Sequence, residues 1–239
     1  MKVRMTLEAR MIVLVLILLP EDGTSASQTP HDCQREVIQR PGARPAEAQF
    51  RLRCNLRTIN SEYDQTNFSV IPASGTVALS VKCAELVGHE SRLADRSLAH
   101  LSDLEDLEIS HCKLTSLPTA GLSGLARLSN LSIHTHPEPG SELSLGIEAG
   151  ALASLRHLAR LDLSYSGLWR IPERELCGLA SLSYLNVSHN SIKDVKDIGL
   201  FPGEDDCRSV NNPCVCRCLT FVSVNNPTVC RCLTYVSDV

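Results

Sequence analysis

Leucine and isoleucine recur in the middle of the chain in a fixed order, L-x-x-L-x-L-x-x-N/C-x-L. Four copies begin with the leucines Leu104, Leu128, Leu158 and Leu182. Successive copies start 24, 30 and 24 residues apart, so the second copy carries extra residues. The L-x-L step has the two-residue period of a β-strand and not the 3.6-residue period of a helix. Because repeats of this length stack side by side, the pattern predicts a solenoid with one short parallel strand per copy.

Side chains along a strand point alternately to its two faces, so each predicted strand has a buried and an exposed set. The exposed set should line the concave surface and consists of Asp106, Glu108, Ser110, Asn130, Ser132, His134, Arg160, Asp162, Ser164, Tyr184, Asn186 and Ser188. On the convex side one more leucine recurs, at Leu98, Leu122, Leu152 and Leu176. We therefore predict an α/β leucine-rich repeat solenoid over residues 91–202, with short parallel strands on the concave face and an irregular or helical convex side.

Each copy has a position after its strand where asparagine or cysteine can hydrogen-bond the buried backbone of the turn. The residues at this position are Cys112, His136, Ser166 and Asn190. Cys112 and Asn190 suit this role. His136 and Ser166 suit it less well, so we expect their turns to be looser.

A solenoid needs capped ends, and residues 27–90 are predicted to form an amino-terminal cap that ends in a first strand. The cap is expected to be stapled by disulfides among Cys33, Cys54 and Cys83. Sequence does not fix the connectivity, and Cys33 with Cys54 is the first pairing to test. Cys112 is expected to be a reduced, buried turn residue, and Cys177 has no obvious mate.

Residues 1–26 have the form of a secretory signal peptide, with basic residues before the apolar run Met11–Leu19 and Pro20 after it. Nine apolar residues are too few to cross a bilayer, which takes roughly 20. We expect export without a membrane span in this chain, which places the cysteines in an oxidising compartment. Export also makes three N-glycosylation sequons usable, at Asn67, Asn130 and Asn186.

Residues 203–239 form a cysteine-rich tail in which a 14-residue segment, Ser209–Val222, recurs as Ser223–Val236 with two changes. One interpretation is the opening of a carboxy-terminal cysteine cap. A second is a zinc or copper site formed by the thiolates of Cys214, Cys216, Cys218, Cys230 and Cys232. The restart of the motif favours a third, an unstructured tail that arose by tandem duplication.

Composition and motifs argue against several classes of function. A formal charge of -4, from 23 basic and 27 acidic residues, argues against a nucleic-acid or anionic-membrane partner. The sequence has no Gly-x-Ser-x-Gly, phosphate-binding loop or His-Glu-x-x-His motif. His134 and His136 offer only two imidazoles, which make a poor metal site. We therefore predict a protein that is not an enzyme and has no cofactor or metal.

Two segments before the repeats are more specific than the leucine pattern. They are Arg57–Pro72, RTINSEYDQTNFSVIP, and Thr76–Cys83, TVALSVKC. They resemble the start of the ectodomain of arthropod Toll receptors, of the long insect and crustacean type. The resemblance continues through Leu161-Asp-Leu-Ser164, Trp169 and Leu185-Asn-Val-Ser188, and it covers roughly Cys33 to Phe201.

The resemblance implies a receptor of innate immunity and development. Its partner would be a Spätzle-type cytokine or another Toll-type ectodomain. Full-length members of the family lie in the plasma membrane and have more repeats, a span and a cytoplasmic TIR domain. This chain lacks those parts, so we expect it not to signal alone, either as a truncated gene model or as a secreted isoform. The alternatives are a secreted decoy or adhesion module, and a matrix or inhibitor protein, against which Arg57–Pro72 argues.

Two sequons lie within the predicted concave strip. Glycans on Asn130 and Asn186 would flank Arg160 and Asp162 and keep a protein away from them. We therefore expect a partner to use a lateral edge, the cap, or repeats that this chain does not contain. The alternative is that these strand positions are simply solvated and bind nothing.

Overall fold

A computed structural model describes residues 32–38, 49–62, 65–84, 90–137, 143–172, 175–176, 178–193 and 220–222 of the 239-residue chain. Within them the strands are β1 (Cys33–Ile38), β2 (Gln49–Leu56), β3 (Thr76–Cys83), β4 (Asp106–Ser110), β5 (Ser116–Leu117), β6 (Asn130–His134), β7 (Gly146–Ile147), β8 (Arg160–Asp162), β9 (Tyr184–Asn186) and β10 (Thr220–Val222). A single-turn 3-10 helix spans Phe68–Val70. The predicted signal peptide and Cys177 lie outside the described residues.

The strands of the four predicted repeats lie side by side in one sheet. Its order is β1-β2-β3-β4-β6-β8-β9-β10, and every pair in it is parallel except the antiparallel β1 and β2. The register keeps one row of leucines adjacent, Leu79, Leu107, Leu131, Leu161 and Leu185. The predicted solenoid is therefore confirmed, and the cap adds β1, β2 and β3 to the same sheet.

Leucine side chains fill the space between the sheet and the convex side. The convex leucines Leu98, Leu122, Leu152 and Leu176 are all buried. The convex side consists of successive turns and the short pairing of β5 with β7, with no α-helix among the described residues. It is therefore irregular rather than helical. Glu175 holds two turns together, because its buried carboxylate accepts hydrogen bonds from the backbone N–H groups of Gly150 and Leu152.

Among the described residues, two disulfides involve cysteines of the cap. Cys33 pairs with Cys54 across β1 and β2, as predicted. Cys83 pairs with Cys112, with the Cα atoms 4.7 Å apart, so the expectation that Cys112 is reduced is wrong. The reason is the register, because β3 and β4 are neighbours and both residues lie just where these strands end. The second disulfide therefore bonds the cap to the first repeat.

The turn positions differ in how they satisfy the backbone. The Asn190 side chain donates to Leu163 O and Val187 O and accepts from the N–H groups of Ser166 and Leu168. Ser166 is fully buried, and its hydroxyl donates to Ile133 O at 2.8 Å, so this turn does not lack hydrogen bonds. The sequence analysis assigned His136 to the same turn position, but in the structure His136 does not occupy it.

Of the predicted tail, the structure describes only Thr220–Val222, which pair in parallel with β9. The other residues of 203–239, with the five candidate thiolates, lie outside the described residues. In the part of the chain that is described, no helix is long and apolar enough to span a membrane.

Candidate ligand-recognition surface

The concave face presents two rows of side chains that run across the sheet. The first row is Arg51, Ala78, Asp106, Asn130, Arg160 and Tyr184, and the second is Arg53, Ser80, Glu108, Ser132, Asp162 and Asn186. Neighbours in a row are about 4.8 Å apart because that is the spacing of paired strands. The two rows contain eight of the predicted concave residues and add four that the sequence analysis missed, Arg51, Arg53, Ala78 and Ser80. The alternation of Phe50 and Leu52 with these arginines was the signal that could have found them.

A cleft of about 250 Å³ opens at the amino-terminal end of these rows, and we call it the β2–β4 cleft. Arg51 and Arg53 form one side, Asp106 and Glu108 form the other, and the small side chain of Ala78 lies between them. Burial raises the pKa of Asp106, the nearby Arg51 opposes this in part, and Glu108 adds to it. Within the described residues no donor hydrogen-bonds the Asp106 carboxylate. The cleft therefore has charges of both signs, and the Asp106 carboxylate in it has no hydrogen-bond donor among the described residues.

A second cluster lies around Asp162 on the central strands. Oδ1 of Asp162 accepts from the N–H and hydroxyl groups of Ser164 and lies 3.1 Å from His134 Nε2, and Oδ2 accepts from Asn186 Nδ2 at 2.9 Å. Burial alone would raise the pKa of Asp162, but these hydrogen bonds outweigh it and hold the pKa far below its usual value. Asp162 therefore joins β6, β8 and β9 through its ionised carboxylate.

Aromatic rings form a row along the lateral edge where the strands end. The row is His111, His136, Tyr165 and His189, with successive ring centroids 4.0, 5.4 and 4.1 Å apart. All four residues have a positive φ, between 49° and 60°. His136 belongs to this row rather than to the turn position because one more residue, the buried Thr135, separates it from its strand. In the described part of the chain, no three His, Cys, Asp or Glu side chains are grouped in a way that could hold a metal ion.

The three sequons lie in different settings. Asn130 and Asn186 are half-buried on β6 and β9, inside the concave rows. Asn67 is exposed in the cap, immediately before the 3-10 helix. Of the remaining concave residues, Arg160 stacks on the ring of Tyr184, with its guanidinium carbon 4.2 Å from the ring centroid.

Comparison with known proteins agrees with this architecture. A family model described as leucine rich repeat matches residues 142–192. Toll-like receptor 7 of Drosophila melanogaster is 34% identical over 149 residues, which are 62% of this chain and 10% of that receptor. The predicted resemblance to an arthropod Toll receptor is confirmed.

Other proteins are similar to this chain at lower identity. Lumican of Coturnix japonica is 28% identical over 112 residues, covering 38% of this chain and 31% of lumican. The crystal structure of the mouse RP105/MD-1 complex aligns with a TM-score of 0.46 and 24% identity, covering 62% of this chain and 24% of that one. The matched part of this chain spans a tenth of the length of Toll-like receptor 7.

Replacing Asp162 by asparagine should lower the free energy of unfolding by about 2 kcal/mol at pH 7, because hydrogen bonds to a charged acceptor are lost. A lowered pKa means that this stabilisation is present above the unfolded value of about 3.9 and is lost as the pH falls through the folded value. Urea unfolding at pH 7 and again at about pH 3 should therefore show the difference shrinking.

Glu108→Gln is the matched control for this prediction. Glu108 is exposed on the same face and accepts one hydrogen bond, from Ser80 Oγ at 3.0 Å. Exposed substitutions of this kind usually change stability by less than about 0.5 kcal/mol. An equal effect of both substitutions at pH 7 would contradict the role given to Asp162.

Proposed function

We propose that this chain is an extracellular recognition module of a Toll-type receptor, acting in innate immunity or development by binding a protein and not by catalysis. The observation that carries this proposal is the continuous polar strip on the concave face, because solenoids bind proteins on such extended surfaces. The two disulfides support an extracellular location. The partner is a Spätzle-type cytokine or another Toll-type ectodomain.

The β2–β4 cleft is the part of the strip that we assign to the partner. Its three strands contain no sequon, whereas β6 and β9 contain Asn130 and Asn186. Glycans on those two residues would hinder access to Arg160 and Asp162 between them. The cleft lies on the cap side, and the cap is one of the three places where the sequence analysis expects a partner to bind, beside a lateral edge and repeats that this chain does not contain.

Charge gives the expected chemistry of the contact. The half-buried Asp106 carboxylate has Ala78 on one side and Asn130 on the other in its row, with Arg51 beyond Ala78 and Glu108 two residues along its own strand. A lysine or arginine of the partner would supply the donor that Asp106 lacks. Charge-assisted hydrogen bonds of this kind are stronger than neutral ones and select the partner.

Asp106→Lys should weaken cytokine binding at least tenfold, which corresponds to about 1.4 kcal/mol. The measurement is biolayer interferometry of the secreted chain against a panel of Spätzle-type cytokines and Toll-type ectodomains. Asp95→Lys is the control, because Asp95 is exposed in a turn outside the sheet and the change in net charge is the same. Absence of binding to every cytokine and Toll-type ectodomain contradicts the function, while binding that both variants weaken equally contradicts the assignment to the cleft.

A further inference from the structure

A second cavity lies in the cap, beside the Cys33–Cys54 disulfide. It has a volume of about 240 Å³. Its lining includes the two cysteines of this disulfide, the apolar Phe68 and Ile71, and the polar Gln65 and Thr66. Asn67, the sequon asparagine, forms part of the same wall. A mixture of apolar and hydrogen-bonding groups suits a sugar ring, which has a C–H face and a rim of hydroxyl groups.

The side chain of Asn67 is held in one orientation. Its Oδ1 accepts from the backbone N–H of Ser69 at 3.0 Å and from the Ser69 hydroxyl at 2.6 Å. The next residue, Phe68, is buried and fixes the backbone of this turn. Because both donors bind Oδ1, Nδ2 is on the opposite side of the amide. No acceptor among the described residues hydrogen-bonds this Nδ2.

Asn186 shares one of these hydrogen bonds, because its Oδ1 accepts from the N–H of Ser188, but neither of the two other sequons is exposed. Nδ2 of Asn186 donates to Asp162 Oδ2, and the side chain is half-buried in the concave face. Asn130 is half-buried between Asp106 and Arg160. Of the three sequon asparagines, Asn67 is thus the exposed one. Its Nδ2, the atom that would bond to the sugar, makes no hydrogen bond to the described residues, and a cavity lies beside it.

We propose that Asn67 carries an N-linked glycan and that its first N-acetylglucosamine occupies this cap cavity. In the transfer, Asn67 Nδ2 forms a bond to C1 of the sugar and loses one hydrogen as a proton, and the lipid pyrophosphate of the donor leaves from C1. The sugar then covers the apolar wall and the exposed side of the Cys33–Cys54 disulfide. It acts as a part of the cap and not as a freely projecting chain.

The test measures how fast dithiothreitol reduces each disulfide in the secreted full-length chain. Alkylation and peptide mass spectrometry follow Cys33–Cys54 and Cys83–Cys112 separately, so the second disulfide is an internal control. The protein is made with high-mannose glycans and trimmed by endoglycosidase H to a single N-acetylglucosamine. We expect Cys33–Cys54 of the trimmed protein to be reduced at least fivefold more slowly than in Ser69→Ala, whose Asn67 stays bare, with Cys83–Cys112 unchanged.

Three further variants keep the test decisive. Ser69→Thr retains the sequon and should behave as the parent chain, Asn67→Gln should behave as Ser69→Ala, and Asn186→Gln should leave the rate at Cys33–Cys54 unchanged. A secreted chain whose Asn67 is bare would overturn the proposal. So would a glycosylated chain in which Cys33–Cys54 is reduced as fast as in Asn67→Gln. Neither result depends on whether a cytokine binds the concave face.

Discussion

Replacing both Cys83 and Cys112 by alanine should lower the free energy of unfolding by about 3–4 kcal/mol, because the disulfide closes a loop of 29 residues in the unfolded chain. The loss of stability should be largest at the boundary between cap and solenoid, since the disulfide joins the ends of β3 and β4. Urea unfolding of the secreted double variant gives the magnitude. Hydrogen exchange should show faster opening of β3 than of β8.

Cys33→Ala/Cys54→Ala is the control for this prediction. That disulfide closes a loop of 21 residues, so chain entropy predicts a similar total loss. Its effect on hydrogen exchange should instead be confined to β1 and β2, at the outer edge of the sheet. The assignment fails if the parent chain contains free thiols at Cys83 and Cys112, or if both double variants open the same strands.

Gly124→Ala should cost about 2–4 kcal/mol of stability. Gly124 has a φ of +92°, which strains any residue with a side chain, and an added Cβ would lie 2.7 Å from the Ala99 carbonyl oxygen and 2.8 Å from its Cα. Those atoms are backbone of the preceding repeat, so they can move away only by separating two repeats. Thermal or urea unfolding of the secreted variant measures the loss.

Gly178 provides a matched control, because it lies two residues after its convex leucine, as Gly124 does. A Cβ added at Gly178 would have no atom within 4 Å. Gly178→Ala should therefore be neutral or stabilising by up to about 1 kcal/mol. Equal losses at both positions would mean that the close approach to Ala99 does not exist.

The strands of the repeats could be predicted because a solenoid is stabilised by contacts between neighbours. Each L-x-L step determines which side chains are buried, and the repeat spacing determines which strands pair. Leu107 next to Leu131 thus follows from the pattern alone, and the structure has that pairing. The convex leucines followed for the same reason.

The cap and the turns could be predicted only in part. The disulfide partner of Cys112 depends on the register of β3 with β4, and the four-copy leucine pattern does not predict that register because β3 precedes the first copy. Arg51 and Arg53 were missed because β2 has no leucine repeat and its register shifts between Phe50 and Arg51. At His136 a single extra residue moved the ring into the lateral row. The errors at Cys112 and at the two arginines came from contacts between segments that share no repeat, and the error at His136 came from an extra residue within one repeat.

The Cys83–Cys112 disulfide also sets an order for maturation. In the secretion that we propose for this chain, the amino-terminal end would enter the oxidising compartment first, and the Cys33–Cys54 bond can form from cap residues alone. Cys83 can form its disulfide only after a further 29 residues, up to Cys112, have been translocated. Covalent closure of the cap onto the solenoid therefore depends on the arrival of the first repeat, and a chain interrupted before Cys112 would keep a free thiol at Cys83.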